Sequence, residues 1–272
     1  MNFAAPLRRE LSERALHYAQ QRSLPHSQSY GEAPAICFPT VHDDHGNFFP
    51  ASYRAILADP AWKRRLKKVH TQGRRNLPAS DHGRWRELDS CNSSDALLMN
   101  IFCHPSAIRN GAASLLGCDP SARPSFGYRA RVPLITGLSD RTEIDMRLGD
   151  LLVEAKLTES DFQTATHKAM QSYRDFPEVF EQGRLPQTEK KFLSYQLLRN
   201  VLAAHALECS FCVLLDARRP DLLEAWYAVM RAVRPVVLRT RLRVLTWQEL
   251  ASVLPTTLQA FLDVKYGIDP AR

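Results

Sequence analysis

One segment constrains this chain more than any other. Between Thr142 and Leu157 the sequence reads Thr-Glu-Ile-Asp-Met-Arg-Leu-Gly-Asp-Leu-Leu-Val-Glu-Ala-Lys-Leu. Gly149-Asp150 has the composition of a two-residue hairpin turn, because glycine accepts the backbone angles of the first central position. That turn pairs Leu148 with Leu151 and fixes the register outward, with Asp145 opposite Glu154 and Glu143 opposite Lys156. Side chains alternate along a strand. One face then carries Ile144, Met146, Leu148, Leu151, Val153, Ala155 and Leu157, all apolar. The other carries Glu143, Asp145, Arg147, Leu152, Glu154 and Lys156. The register that completes an apolar face gathers three carboxylates and a lysine on its reverse.

Two carboxylates directly opposite on neighbouring strands repel each other. A divalent cation between them removes the penalty, and magnesium takes one or two protein carboxylates while leaving room for water and phosphate. Lys156 points to the same side and is placed to orient an attacking water. In outline this is metal-assisted phosphodiester hydrolysis. The bland alternative is a solvent-facing hairpin with an ordinary surface ion pair between Glu143 and Lys156.

The rest of the chain supplies context. Its 272 residues are 44% apolar, ordinary for a globular protein with a sizeable core. No apolar run is long enough to span a membrane, and Met1–Gln21 reads as an amphipathic helix rather than a signal peptide, so a cytoplasmic location is expected. Six dispersed cysteines do not form a secreted disulfide framework, and Cys209-x-x-Cys212 lacks the second pair a zinc site needs.

The net charge of +7 is concentrated. Ala61 to Ser90 contains nine Lys or Arg against three acids, among them Arg64, Arg65, Lys67, Lys68, Arg74 and Arg75. This reads as a phosphate-contacting surface or as a solvated helix and loop. Trp62, Trp85 and Tyr53 flank it, more as anchors to the core than as base-stacking platforms. A second run, Arg239, Arg241 and Arg243, is expected to share one strand face and to border a groove for duplex DNA. His42-Asp43-Asp44-His45 invites a metal reading, but its setting between Pro39 and Pro50 beside Gly46 and Asn47 reads as a polar turn rather than a metal site.

Coarse periodicity predicts a helix over 93–103 capped by Ser93 or Ser94 and a loop over 110–127. A strand is expected over 128–134, and helices over 159–174 and 190–207. Further on come a strand over 211–215, a helix over 222–233 and a strand over 244–246.

Asp145 followed by Glu154-Ala155-Lys156 resembles the PD-(D/E)XK nuclease superfamily, the restriction-endonuclease-like fold. The helix before the hairpin and the helix and apolar strand after it follow that superfamily's αβββαβ order. The stretches 88–102 and 195–200 look like an uncharacterised bacterial branch. The resemblance covers about 90–216, and Ile144 stands where the name's proline would be.

It implies an α/β fold with a mixed central sheet flanked by helices over 91–272, with 1–90 as a basic N-terminal extension. It also implies a magnesium-dependent endonuclease, with manganese as a substitute, acting on nucleic acid and above all double-stranded DNA. Asp145 and Glu154 would be metal ligands with the Ala155 carbonyl, and Lys156 would assist the nucleophile. Asp95, Glu143, Gln163, Tyr195 and Gln196 are accessory candidates, and Arg199 is a candidate phosphate contact. A duplex cut needs two active sites, which a homodimer would supply. The alternative is a nucleic-acid-binding protein that keeps the fold without catalysis.

Overall fold

The structure is a computed structural model that describes residues 2–29, 34–69, 79–80 and 83–270. Arg74 and Arg75 of the basic segment lie outside the described residues. The chain divides into two compact units, one of residues 1–124 with 246–272 and one of residues 125–245. The expected boundary at residue 90 falls inside the first unit.

In the first unit, helix α1 (Ala4–Gln21) buries Leu7, Leu11, Ala15 and Ala19 at helical spacing. Helix α2 (Ser94–Phe102) starts where expected, because the Ser93 side chain accepts the Ala96 N–H. The segment expected as a loop contains a short helix, Ala113–Leu116, preceded by a turn that Gly111 breaks with a non-helical φ of 151°. Gly117 ends it in the left-handed conformation that a glycine adopts without strain, so the glycine marks a helix end rather than a loop.

The most demanding group in this unit is Lys265, on the C-terminal helix Thr256–Tyr266, which is 1% exposed. Its Nζ donates to the Gly46 carbonyl at 3.0 Å and to Asn47 Oδ1 at 2.7 Å. The rings of Tyr18, Phe38, Phe261 and Tyr266 surround it. Burial pushes its pKa well below the usual lysine value, against the opposing influence of Cys91. The unfolded chain therefore binds the extra proton, and stability rises with pH up to the free-lysine range near ~10.4. Urea unfolding between pH 7 and pH ~9.5 is expected to show wild type gaining on Lys265→Met as pH rises. A constant difference would contradict this.

The second unit is built on a five-stranded mixed sheet. Its strands are β1 (Pro124–Arg129), β2 (Glu143–Leu148), β3 (Leu151–Ala155), β4 (Ser210–Leu215) and β5 (Leu242–Thr246), in spatial order β5-β4-β3-β2-β1. The β2–β3 hairpin has the anticipated register, with Leu148 opposite Leu151, Arg147 opposite Leu152 and Met146 opposite Val153. Gly149 supplies the positive φ of the turn. Strand β4 runs parallel to β3, with Glu154 beside Val213. Its entry carries Cys209 and Cys212, both buried, and all six cysteines are free.

Helix α3 (Tyr195–Ala206) packs on β3 and β4, and helix α4 (Pro220–Met230) packs on β4. Within this unit the order β1–β2–β3–α3–β4 is the βββαβ part of the expected succession, while the preceding helix α2 belongs to the first unit. The five-stranded mixed sheet flanked by helices is an α/β fold of the restriction-endonuclease-like kind.

Three local expectations are corrected. The first sheet strand lies at 124–129 rather than 128–134. It is an edge strand that starts on a proline and contains Gly127 at positive φ, features that hide the alternation. The expected helix over 159–174 is helical only at His167–Gln171, because Gln163 is left-handed and Thr164–Thr166 pairs with Lys191–Leu193 as a ribbon. The arginines 239, 241 and 243 do not share a strand face. Arg239 ends the short helix Val236–Arg239, Arg241 donates to the Glu208 carbonyl, and only Arg243 lies in β5.

Candidate active site

The polar face of the hairpin is not a solvent-facing surface. Glu154 is 2% exposed and Lys156 4% exposed, because α3 lies over β3. That burial overturns the reading of an ordinary surface ion pair. Lys156 Nζ stands 2.9 Å from Glu154 Oε1 and donates to Gln196 Oε1, also at 2.9 Å. It also lies 5.5 Å from the centre of the Phe162 ring. Glu154 Oε2 accepts from Asn200 Nδ2 at 2.7 Å. Gln196 and Asn200 are four residues apart on α3 and share one face of the helix. Together the two amides grip the two ends of the Glu154–Lys156 pair.

Asp145 joins the group from β2. Its Oδ2 accepts the N–H of Ala155 at 2.8 Å, so its carboxylate lies against the backbone between Glu154 and Lys156. Burial opposes the charge on Lys156. The carboxylates of Glu154, Glu159 and Asp145 outweigh it and hold the ammonium pKa above its ordinary value.

The entrance of α3 is tied to the segment that follows β3. Tyr195 and Gln196 donate their backbone N–H groups to the carbonyls of Gln163 and Phe162, which satisfies the helix start and places Gln196 beside Lys156. Arg199 occupies the next turn and is 1% exposed. It donates to the carbonyls of Thr142 and Glu143 at 2.7 and 2.8 Å, pinning the start of β2. It is a structural clamp, not a phosphate contact.

The other candidates divide. Glu143 is half-buried at the start of β2, and Gln163 is exposed. The Tyr195 hydroxyl pairs with that of Tyr173, which in turn donates to Asp140. In the first unit the Asp95 carboxylate is taken up by Arg65 and Lys68. Arg64 and Lys67 are exposed. Trp62 is an anchor, its indole N–H donating to the Pro124 carbonyl, and Trp85 and Tyr53 are buried. The turn at His42-Asp43 joins a two-residue ribbon, and His45 is buried against Asp89 at 3.1 Å.

Asn200 is the site residue that sequence reading missed. The signal was its position one turn beyond Gln196 in a helix already anticipated. Among the described residues no three His, Cys, Asp or Glu converge as an all-protein metal cage. Magnesium does not need one, since one or two carboxylates suffice.

The model of a protein family described as Restriction Endonuclease associating with ARP matches residues 13–267. The chain belongs to this family. Membership in a restriction-endonuclease family supports a nuclease role and contact with nucleic acid. The family match extends across the hairpin and α3, so the buried carboxylate–lysine group lies within the matched region. No curated protein and no solved structure matches the chain. No helix among the described residues is long and apolar enough to cross a membrane.

Proposed function

We propose that the chain is a magnesium-dependent endonuclease that hydrolyses phosphodiester bonds in double-stranded DNA, with its chemistry centred on Asp145, Glu154 and Lys156. The observation that carries this reading is the buried Glu154–Lys156 pair beside Asp145, gripped by Gln196 and Asn200. A buried charge pair is costly to desolvate and is often no better for stability than apolar residues. Its presence on a nuclease-family hairpin is best accounted for by chemistry.

The donor set fits magnesium. Asp145 and Glu154 supply hard anionic oxygens, and the Ala155 carbonyl is a neutral third donor between them. Glu154 uses one lone pair of each carboxylate oxygen for Lys156 and Asn200, and each oxygen has a second. The bound ion would supply Lewis-acid stabilisation of the phosphate charge and a more acidic water.

The chain's own groups do the rest. Lys156 carries donors only, so it orients a water or a phosphate oxygen by hydrogen bonding and offsets developing negative charge. Gln196 holds that ammonium in place. Asp145 and Glu154 fix the reacting centre relative to β3. Exposed Arg64 and Lys67 are suited to backbone phosphates. We place the protein in the cytoplasm, with manganese as an alternative ion and a homodimer as the form that cuts both strands.

The test is supercoiled plasmid incubated with purified protein and magnesium, beside an EDTA control. Nicked or linear product with magnesium alone is expected. Intact plasmid that is shifted in a gel would instead favour a non-catalytic DNA-binding protein.

A further inference from the structure

Asn200 is fully buried, at 0% exposure, in the middle of α3. Its Nδ2 is spent on Glu154. Its Oδ1 is also buried and has no hydrogen-bond partner among the described residues. A buried amide oxygen without a donor is costly, and such atoms in folded proteins are usually met by ordered water or a bound group. Here the orphan acceptor belongs to the same amide that holds a Glu154 oxygen.

We propose that Asn200 is a positioning residue for the divalent-ion site, its Nδ2 fixing the Glu154 carboxylate while its Oδ1 accepts a hydrogen bond from a water molecule of that site. The assignment rests on the reading of Asp145 and Glu154 as metal ligands. The division of labour follows from donor and acceptor chemistry. Lys156 holds Oε1 of Glu154 and Asn200 holds Oε2, so the carboxylate cannot rotate without losing two charge-assisted bonds. The amide supplies a donor to the ligand and an acceptor to the water in one rigid group. Neither serine nor leucine offers both at this reach. Gln196 carries the corresponding load on the lysine side.

The experiment is manganese titration by calorimetry into the folded protein without DNA, using wild type, Glu154→Ala, Asn200→Leu and Asn200→Asp. Partners that orient metal ligands typically contribute ~10–100-fold to metal affinity. Asn200→Leu is therefore expected to weaken manganese binding by about that factor, and Glu154→Ala to abolish it. Asn200→Asp keeps the size but sets a second carboxylate against Glu154. Its melting temperature without metal is expected to fall, and added manganese is expected to raise it by more than it raises wild type.

Wild-type affinity in Asn200→Leu, or a wild-type manganese shift in Asn200→Asp, overturns the role of Asn200 while leaving the site intact. The Asn200→Asp arm decides the matter if Asn200→Leu does not fold. Absence of manganese binding by wild type, or unchanged binding by Glu154→Ala, overturns the site itself and the assignment with it.

Discussion

Glu154→Gln and Asp145→Asn are expected to remain folded and to cut DNA at least ~1,000-fold more slowly than wild type, about 4 kcal/mol of lost transition-state stabilisation. Both changes keep side-chain volume and remove one negative charge. At Asp145 the amide oxygen can still accept the Ala155 N–H, so the hairpin end keeps its contact. At Glu154 the Asn200 contact can persist through the remaining oxygen, while Lys156 loses its closest anionic partner. Some stability is lost there, of the order of 1–3 kcal/mol for an ammonium left partly unpaired in the interior. Alanine at the same place would be harsher, because breaking a buried pair costs about 3–5 kcal/mol. The amide variants therefore separate chemistry from folding. Circular dichroism spectra like wild type with cleavage within tenfold of wild type would contradict the assignment.

The largest effect on stability is expected at Arg219. This side chain is 0% exposed. Its guanidinium forms a bidentate pair with Asp221 at 2.9 and 2.7 Å. It also donates to the carbonyls of Glu159 at 2.7 Å, Ser160 at 3.2 Å and Leu157 at 3.5 Å. It therefore staples the start of α4 to the segment that leaves β3. Arg219→Ala strands those carbonyls and the carboxylate, a loss of about 3–5 kcal/mol. For a domain of this size that lowers the melting temperature by roughly 10 °C. Arg219→Lys is expected to recover little, since one ammonium cannot replace a planar fork with several directed donors. Calorimetric melting of the three proteins checks this, and a loss under 1 °C in Arg219→Ala would refute it. Cleavage should fall as well. The stapled segment carries Glu159, whose carboxylate accepts the Leu157 N–H and supports the charge on Lys156.

What could be read in the sequence follows the range of the forces involved. The hairpin register was legible because an alternating apolar face and a Gly-Asp turn are local. Leu148 does pair with Leu151, and Asp145, Glu154 and Lys156 do converge. The cap at Ser93 or Ser94, the strand expected over 211–215 and found at Ser210–Leu215, and the helix expected over 222–233 and found at Pro220–Met230 were local in the same sense.

The burial of Glu154 and Lys156 was not legible, because it depends on α3 crossing β3. For the same reason Arg199 reads as a phosphate contact in sequence and as a clamp on β2 in the fold. The alternating arginines 239, 241 and 243 misled because a four-residue helix ends among them. Asp95 looked like an accessory ligand until the partners of its carboxylate, Arg65 and Lys68, were placed. Asn200 was visible only as one residue of a helix, since its meaning lies in the carboxylate it faces.

The role of the buried carboxylate–lysine group is tested most directly by one comparison. Wild type and Glu154→Gln, both confirmed as folded, are incubated with supercoiled plasmid at saturating magnesium and the initial nicking rates measured. Magnesium-dependent nicking by wild type is expected, with a rate at least ~1,000-fold lower for the variant. Equal rates, or nicking by wild type that persists in EDTA, would place the chemistry somewhere other than the buried carboxylate–lysine group of the hairpin.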